Sequence, residues 1–308
     1  MIGLCCQYIV SKTKKNGTVV FENSMEEKTL QFGQYNKNKY SEQQIQEIWI
    51  HNISKFYEVL QRVNAEGFKS VRISSNLFPL HDSVNSLLLN NEKVINLLNQ
   101  TGSYAKDNNI RITCHPDQFV VLSSNNDSVI NTAIRMLQHH AWILDQMKLD
   151  KTPYYSINVH GGVRGNSKKL IEQTNLLPEN IKNRLTFEND EKCYNVKELL
   201  EVYHNTNVPI TFDSHHHSFN DAGISGKEAL DIAISTWGKY KPNTHLSNTE
   251  PHHINGSFTE RRKHSERVHY IPEYQLKYNN DNKIDIDFEF KLKNIAIKEA
   301  VEKFKINL

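Results

Sequence analysis

Pro209-Ile210-Thr211-Phe212-Asp213-Ser214-His215-His216-His217 runs from a short β-rich segment straight into an acid and three histidines. Ile, Thr and Phe in alternation after a proline favour a strand, and the polar cluster marks its C-terminal end. The same arrangement recurs along the chain. Strand candidates are Ile2–Cys6, Ser70–Ser74, Ile110–Cys114, Tyr154–His160, Arg184–Glu188, Val208–Asp213, Thr244–Leu246 and Ile284–Phe290. From the third onward, each delivers a His, Asp or Glu at or near its C-terminal end: His115, His160, Glu188, Asp213, His245 and Glu289.

Helical patterns separate these segments. In Glu42–Asn64, Ile45, Ile48, Trp49, Ile53, Phe56, Val59, Leu60 and Val63 fall on one face. Further helices are expected at Ser86–Asn108, Val129–Lys148, Lys168–Gln173, Val196–His204, Lys227–Thr236 and Ile295–Phe304. Sustained strand–helix alternation predicts right-handed crossovers and a parallel sheet. Eight strands in 308 residues point to an α/β fold, a single-domain (β/α)8 TIM barrel over residues 1–308 with extended βα loops. Ser11–Lys39 and Asn248–Tyr274 read as irregular loops at the C-terminal mouth, where barrel enzymes keep their sites. No glycine-rich nucleotide motif follows any strand, so no nucleotide cofactor is expected.

Composition excludes other classes. Hydrophobic residues make up 38% and charged residues 23%, and the apolar runs are too short to span a bilayer. Cys5, Cys6, Cys114 and Cys193 form no CxxC pair and the start lacks a secretory pattern, so a reduced intracellular protein (cytoplasmic or nuclear) is expected, and it is taken as a monomer. A formal net charge of +2 says little about partners, so any DNA contact must come from a local basic rim.

One histidine at a strand end is most often a hydrogen-bonded structural residue. A ring of them is different, because strand ends converge on one axis. That many imidazoles and carboxylates cannot be buried together without cations. Mixed N and O ligands suit Zn, Mn or Fe better than Ca or Mg. One ion is over-supplied by such a set. Glu188, in its middle, is a natural bridging carboxylate, and Asp213 and His216 can serve adjacent ions. Clusters of this kind suit phosphodiester hydrolysis.

Five segments resemble the UV-damage endonuclease family, in family order: Arg72–Pro79 (RISSNLFP), Thr113–Val120 (TCHPDQFV), Ile157–Gly162 (INVHGG), Leu185–Asp190 (LTFEND) and Asp213–His217 (DSHHH). The family is distantly similar to endonuclease IV. The resemblance implies a barrel with three divalent ions, Mn and possibly Zn. It implies nicking of damaged double-stranded DNA immediately 5′ of pyrimidine dimers and 6-4 photoproducts, leaving a 3′-hydroxyl and a 5′-phosphate. Carried over by position, the ligands are His115, His160, Glu188, Asp213, His216, His245, His264 and Glu289, with Glu188, His115 and Asp213 as catalytic residues. Gln118 and Phe119 match a Gln-Tyr pair that probes the gap left by flipped bases; here Phe replaces Tyr, keeping the stacking surface without the hydroxyl. Asn243 stands where some members carry a modified lysine. Arg164, Lys168, Arg262 and Lys263 are the candidate DNA contacts.

Two enzymatic alternatives remain at this stage: an apurinic-site endonuclease, and a metal-dependent sugar isomerase on the same barrel. A non-catalytic damage-binding protein is a third, disfavoured because such a protein has no need of costly convergent charges.

Overall fold

Residues that alternate along a strand face opposite sides of a sheet, and in this chain the polar set faces inward. The computed structural model describes residues 1–23, 26–116 and 119–306. Its barrel strands are β1 (Ile2–Cys5), β2 (Ser70–Ile73), β3 (Arg111–Cys114), β4 (Ile157–Val159), β5 (Leu185–Glu188), β6 (Ile210–Asp213), β7 (Asn243–Leu246) and β8 (Asp285–Phe288). All are parallel, each pairs with its sequence neighbours, and β8 closes on β1 through Ile2↔Ile286 and Gly3↔Asp287.

Among the described residues, the eight helices of eight residues or more are α1 (Glu42–Ala65), α2 (Glu92–Asp107), α3 (Asp127–Gln146), α4 (Ser167–Asn175), α5 (Val196–Thr206), α6 (Gly226–Ser235), α7 (Glu273–Asn280) and α8 (Lys293–Phe304). The starts of α1, α2, α3, α5 and α6 are set by side chains that satisfy free N–H groups of the first turn. Ser41 with Gln44, and Asn195 with Glu198, form reciprocal capping boxes. The core lies between these helices and the outer face of the barrel, where Ile286, Phe288 and Phe290 pack on the apolar helix faces.

The inner face is polar, and β8 shows how it is filled. Asp285 lies at the bottom of the barrel, Asp287 in the middle and Glu289 at the mouth. Arg111 donates to Asp285 at 3.0 Å and Lys241 reaches it at 2.7 Å, while the Arg111 guanidinium lies 4.6 Å from the Tyr154 ring centre. Asp287 accepts from Ser70 at 3.0 Å and Asn243 at 3.0 Å. A Cβ on Gly3 would sit 1.9 Å from Asp287 Oδ1, so only glycine leaves the carboxylate its room. Buried carboxylates survive because each is paired or hydrogen-bonded.

The structure corrects several sequence expectations. The fourth strand is shorter than Tyr154–His160, because Pro153–Tyr155 forms a 3-10 turn whose Pro153 and Tyr154 carbonyls accept from Arg111. Ser86–Asn108 is two elements, a 3-10 turn at Ser86–Asn90 and then α2, with Asn91 capping the second. Ser11–Lys39 is not wholly irregular: Ile9–Thr13 and Val19–Asn23 pair as an antiparallel hairpin. Both hairpin strands are largely exposed, so neither carries the buried face whose alternation would have revealed it. Helix α7 was not expected, since it buries Gln275 and Asn279 rather than an apolar stripe. No helix among the described residues is long and apolar enough to cross a membrane.

Replacing Arg111 by Leu should leave Asp285 under-compensated in a dry site and cost roughly 3–5 kcal/mol of stability. Urea denaturation checks this: the midpoint should fall with little change in slope.

Candidate metal centre

The register that closes the barrel also aligns the chemistry. Asp213 and His245 are cross-strand partners, as are His245 and Asp287. His115, His160 and Glu289 each follow the last residue of β3, β4 and β8, while Glu188 and Asp213 end β5 and β6. Six strands therefore deliver their groups to one level of the mouth.

Glu188 is the hub, and its side chain is fully buried. Its Oε2 lies 3.0 Å from His115 Nε2 and 3.9 Å from His160 Nε2. Its Oε1 lies 3.0 Å from His245 Nδ1 and 3.3 Å from His216 Nδ1. Asn158, inside the barrel, donates to Oε2 and is itself held by Thr186 at 2.8 Å. Glu289 forms the second focus, 3.3 Å from His245 Nδ1 and 3.7 Å from His264 Nδ1. Asp213 accepts from the His216 amide at 2.7 Å through one oxygen. Its other oxygen, Oδ2, is buried with no hydrogen-bond partner.

Three groups have the spacing of metal ligands: His115–Glu188–His245, His160–Glu188–His216 and Asp213–His245–Glu289. Glu188 and His245 each belong to two of them. Glu188 Oε1 and His245 Nδ1 also make no hydrogen bond although both are buried. Buried donor atoms left unsatisfied by protein, converging on shared points, fit divalent ions.

Electrostatics agree with that fit. Burial alone would raise the Glu188 pKa, but the His245 and His160 imidazoles outweigh it and hold the group well below the usual carboxylate range. Burial lowers His160 to about 4 against the pull of Glu188. Burial would also depress His216 and His245, yet Asp213 and Glu188 push His216 well up, and Glu188 raises His245. The carboxylates thus draw positive charge toward these two rings, and Arg72 adds its own beside His245 Nε2 at 2.8 Å. Divalent ions supply it without protonating the ligands.

Two cavities flank the centre. One of about 460 Å³ is lined by His160, His216, His264, Glu191, Arg262 and Lys263. The other, about 580 Å³, is lined by Cys6, Arg72, Ser75, His115, Phe119 and Glu289. Phe119 is 74% exposed at this rim. Gln118 lies outside the described residues. His264 reaches Glu289 but belongs to none of the three groups. His217 turns away to the Ile224 carbonyl at 3.2 Å. Arg164 and Lys168 are exposed beyond the cavities, whereas Arg262 is bound to Glu191.

Sequence reasoning missed four residues around this cluster. Arg72 pairs with Glu289 and lies 2.8 Å from His245 Nε2. Asn158 holds Glu188. Asn189 fixes Asp213 through bonds of 2.9 Å in each direction and accepts from His216 Nδ1 at 3.1 Å. Glu191 lies 3.9 Å from His216 Nε2. Arg72, Asn158 and Asn189 stand inside the quoted motifs, so position was their available signal.

The sequence matches the family described as UV-endonuclease UvdE over residues 16–307. The UV DNA damage endonuclease of Nostoc sp. is 35% identical over 203 residues, covering 64% of this chain and 62% of that protein. The crystal structure of SacUVDE superposes with a TM-score of 0.80 at 28% identity, covering 99% of this chain and 97% of that one. Endonuclease IV from Thermus thermophilus, 13% identical with a TM-score of 0.57 over 81% of this chain and 92% of its own, shares the fold.

Asn158→Ala should weaken apparent metal affinity by about 10–100-fold, because an outer partner that orients a ligand is worth that much. Chelator competition, with circular dichroism as the check on folding, measures it.

Proposed function

The chain belongs to the UV-endonuclease UvdE family and is a phosphodiester hydrolase, and on that premise we propose that it nicks UV-damaged duplex DNA immediately 5′ of the lesion. The products are a 3′-hydroxyl and a 5′-phosphate, and pyrimidine dimers and 6-4 photoproducts are the substrates. One observation carries this reading: five histidines and three carboxylates converge at the barrel mouth, with Glu188 shared among four imidazoles. The family match sets aside the sugar-isomerase alternative.

The three ligand groups would hold divalent ions, three in number with Mn and Zn as the candidates, and bound ions would lend Lewis acidity for phosphodiester hydrolysis. Glu188 would be shared between two of these groups. His115, His160, His216, His245, Asp213 and Glu289 complete the groups, with His264 beside Glu289. Buried Asn158 keeps the Glu188 carboxylate in one orientation, so its charge is fixed in advance of substrate. Arg164, Lys168, Arg262 and Lys263 hold the DNA backbone. Phe119, exposed at the rim of the 580 Å³ cavity, stacks in the gap left by the displaced bases, with Gln118 beside it in sequence. No nucleotide cofactor takes part, and the protein works as an intracellular monomer.

A labelled duplex carrying one pyrimidine dimer tests the proposal. Mn-loaded protein should give a single nick 5′ of the dimer, and EDTA should abolish it. Glu188→Gln should remain folded and lose most turnover; wild-type rates from that variant would remove Glu188 from the chemistry. Phe119→Tyr should change the ranking of lesions, and an unchanged ranking would count against the probing role.

A further inference from the structure

The loop after β5 carries a carboxylate that the reading above does not use. Glu191 follows Glu188 by three positions and lines the 460 Å³ cavity with a side chain only 13% exposed. Its Oε1 accepts from Arg262 Nη1, and its Oε2 faces His216 Nε2 at 3.9 Å. A carboxylate is an odd occupant of a cavity meant for a polyanion, since by charge alone it repels phosphate.

Both ends of this ion pair are fixed by their own loops. Asp190 accepts from the amides of Lys192 at 2.7 Å and Tyr194 at 3.2 Å, which shapes the turn around Glu191. Arg262 caps the short helix Phe258–Arg261, and Thr249 ties that helix end down through the Arg261 carbonyl at 2.5 Å. The neighbouring Arg261 lies over the Phe219 ring at 5.6 Å. Arg262, with 37% of its side chain exposed, keeps open surface beside the ligands His216 and His264. A guanidinium has five N–H donors in a rigid fork, so one donor committed to Glu191 sets the plane of the others.

We propose that Glu191 positions Arg262, holding its remaining donors toward the DNA phosphate next to the cleavage site. This rests on the mouth being the DNA-cleaving site. Glu191 touches no substrate itself; its effect passes through Arg262. The proposal reverses the sign expected from charge alone: removing this carboxylate should impair the enzyme rather than strengthen its hold on DNA.

The test is nicking of a dimer-containing duplex by wild type, Glu191→Ala, Glu191→Asp, Arg262→Ala and the double alanine variant, with bound metal and melting temperature measured on each. Glu191→Ala and Arg262→Ala should each lower kcat/KM about tenfold, the loss typical of one charged hydrogen bond. The double variant should fall no further than Arg262→Ala, because the two act as a unit. Glu191→Asp should recover most activity, and metal content should match wild type throughout. Cleavage by Glu191→Ala at or above the wild-type rate would overturn the proposal. So would losses that multiply in the double variant, or a loss of bound metal, which would make Glu191 an ion ligand. Wild-type protein that nicks no damaged duplex would instead overturn the reading of the site, and this inference with it.

Discussion

A fully buried carboxylate shared by four imidazoles from four different loops and strands is the constraint around which this barrel is organised. Glu188 can be ionised in a dry site only because His115, His160, His216 and His245 surround it and Asn158 donates to it from below. Each of those groups must arrive at one height, which fixes strand register. An ionised group stranded in low dielectric costs several kcal/mol, so the site and the fold specify each other.

The interior beneath the centre obeys the same requirement. Asp285 and Asp287 sit under Glu289 on one strand, and each depth has its own partners: Arg111 and Lys241 at the bottom, Ser70 and Asn243 in the middle, Arg72 and the histidines at the mouth. Many barrels fill this space with branched apolar side chains. Here the apolar residues of β8 face outward against the helices, and a column of acids faces inward. Gly3 leaves room for the middle one. Ion pairs and hydrogen bonds at each depth offset the cost of burying these acids beneath the charged mouth.

Much of this was legible from the chain. Strand ends are written in sequence as a β-rich run followed by His, Asp or Glu, and eight alternations leave few topologies besides a closed barrel. That His115, His160, Glu188, Asp213, His245 and Glu289 gather at one end of the barrel followed from that frame. The hairpin at Ile9–Thr13 and Val19–Asn23 was hidden because neither strand buries a face. Helix α7 was hidden because its anchors are the amides Gln275 and Asn279. The roles of Arg72, Asn158, Asn189 and Glu191 depend on which way a side chain turns at a strand end or in a loop, and pattern does not record that. The Tyr154–Tyr155 turn was missed for a related reason: an arginine 43 positions before Tyr154 claims the carbonyls that a strand would have used.

Mass spectrometry of dialysed protein, counting the divalent ions retained per chain, decides whether the barrel mouth is a metal centre. About three ions are expected per wild-type chain and far fewer in Glu188→Gln, since one carboxylate belongs to two of the three groups. A wild-type chain that retains no metal and takes up none from Mn or Zn solutions would contradict a metal centre there.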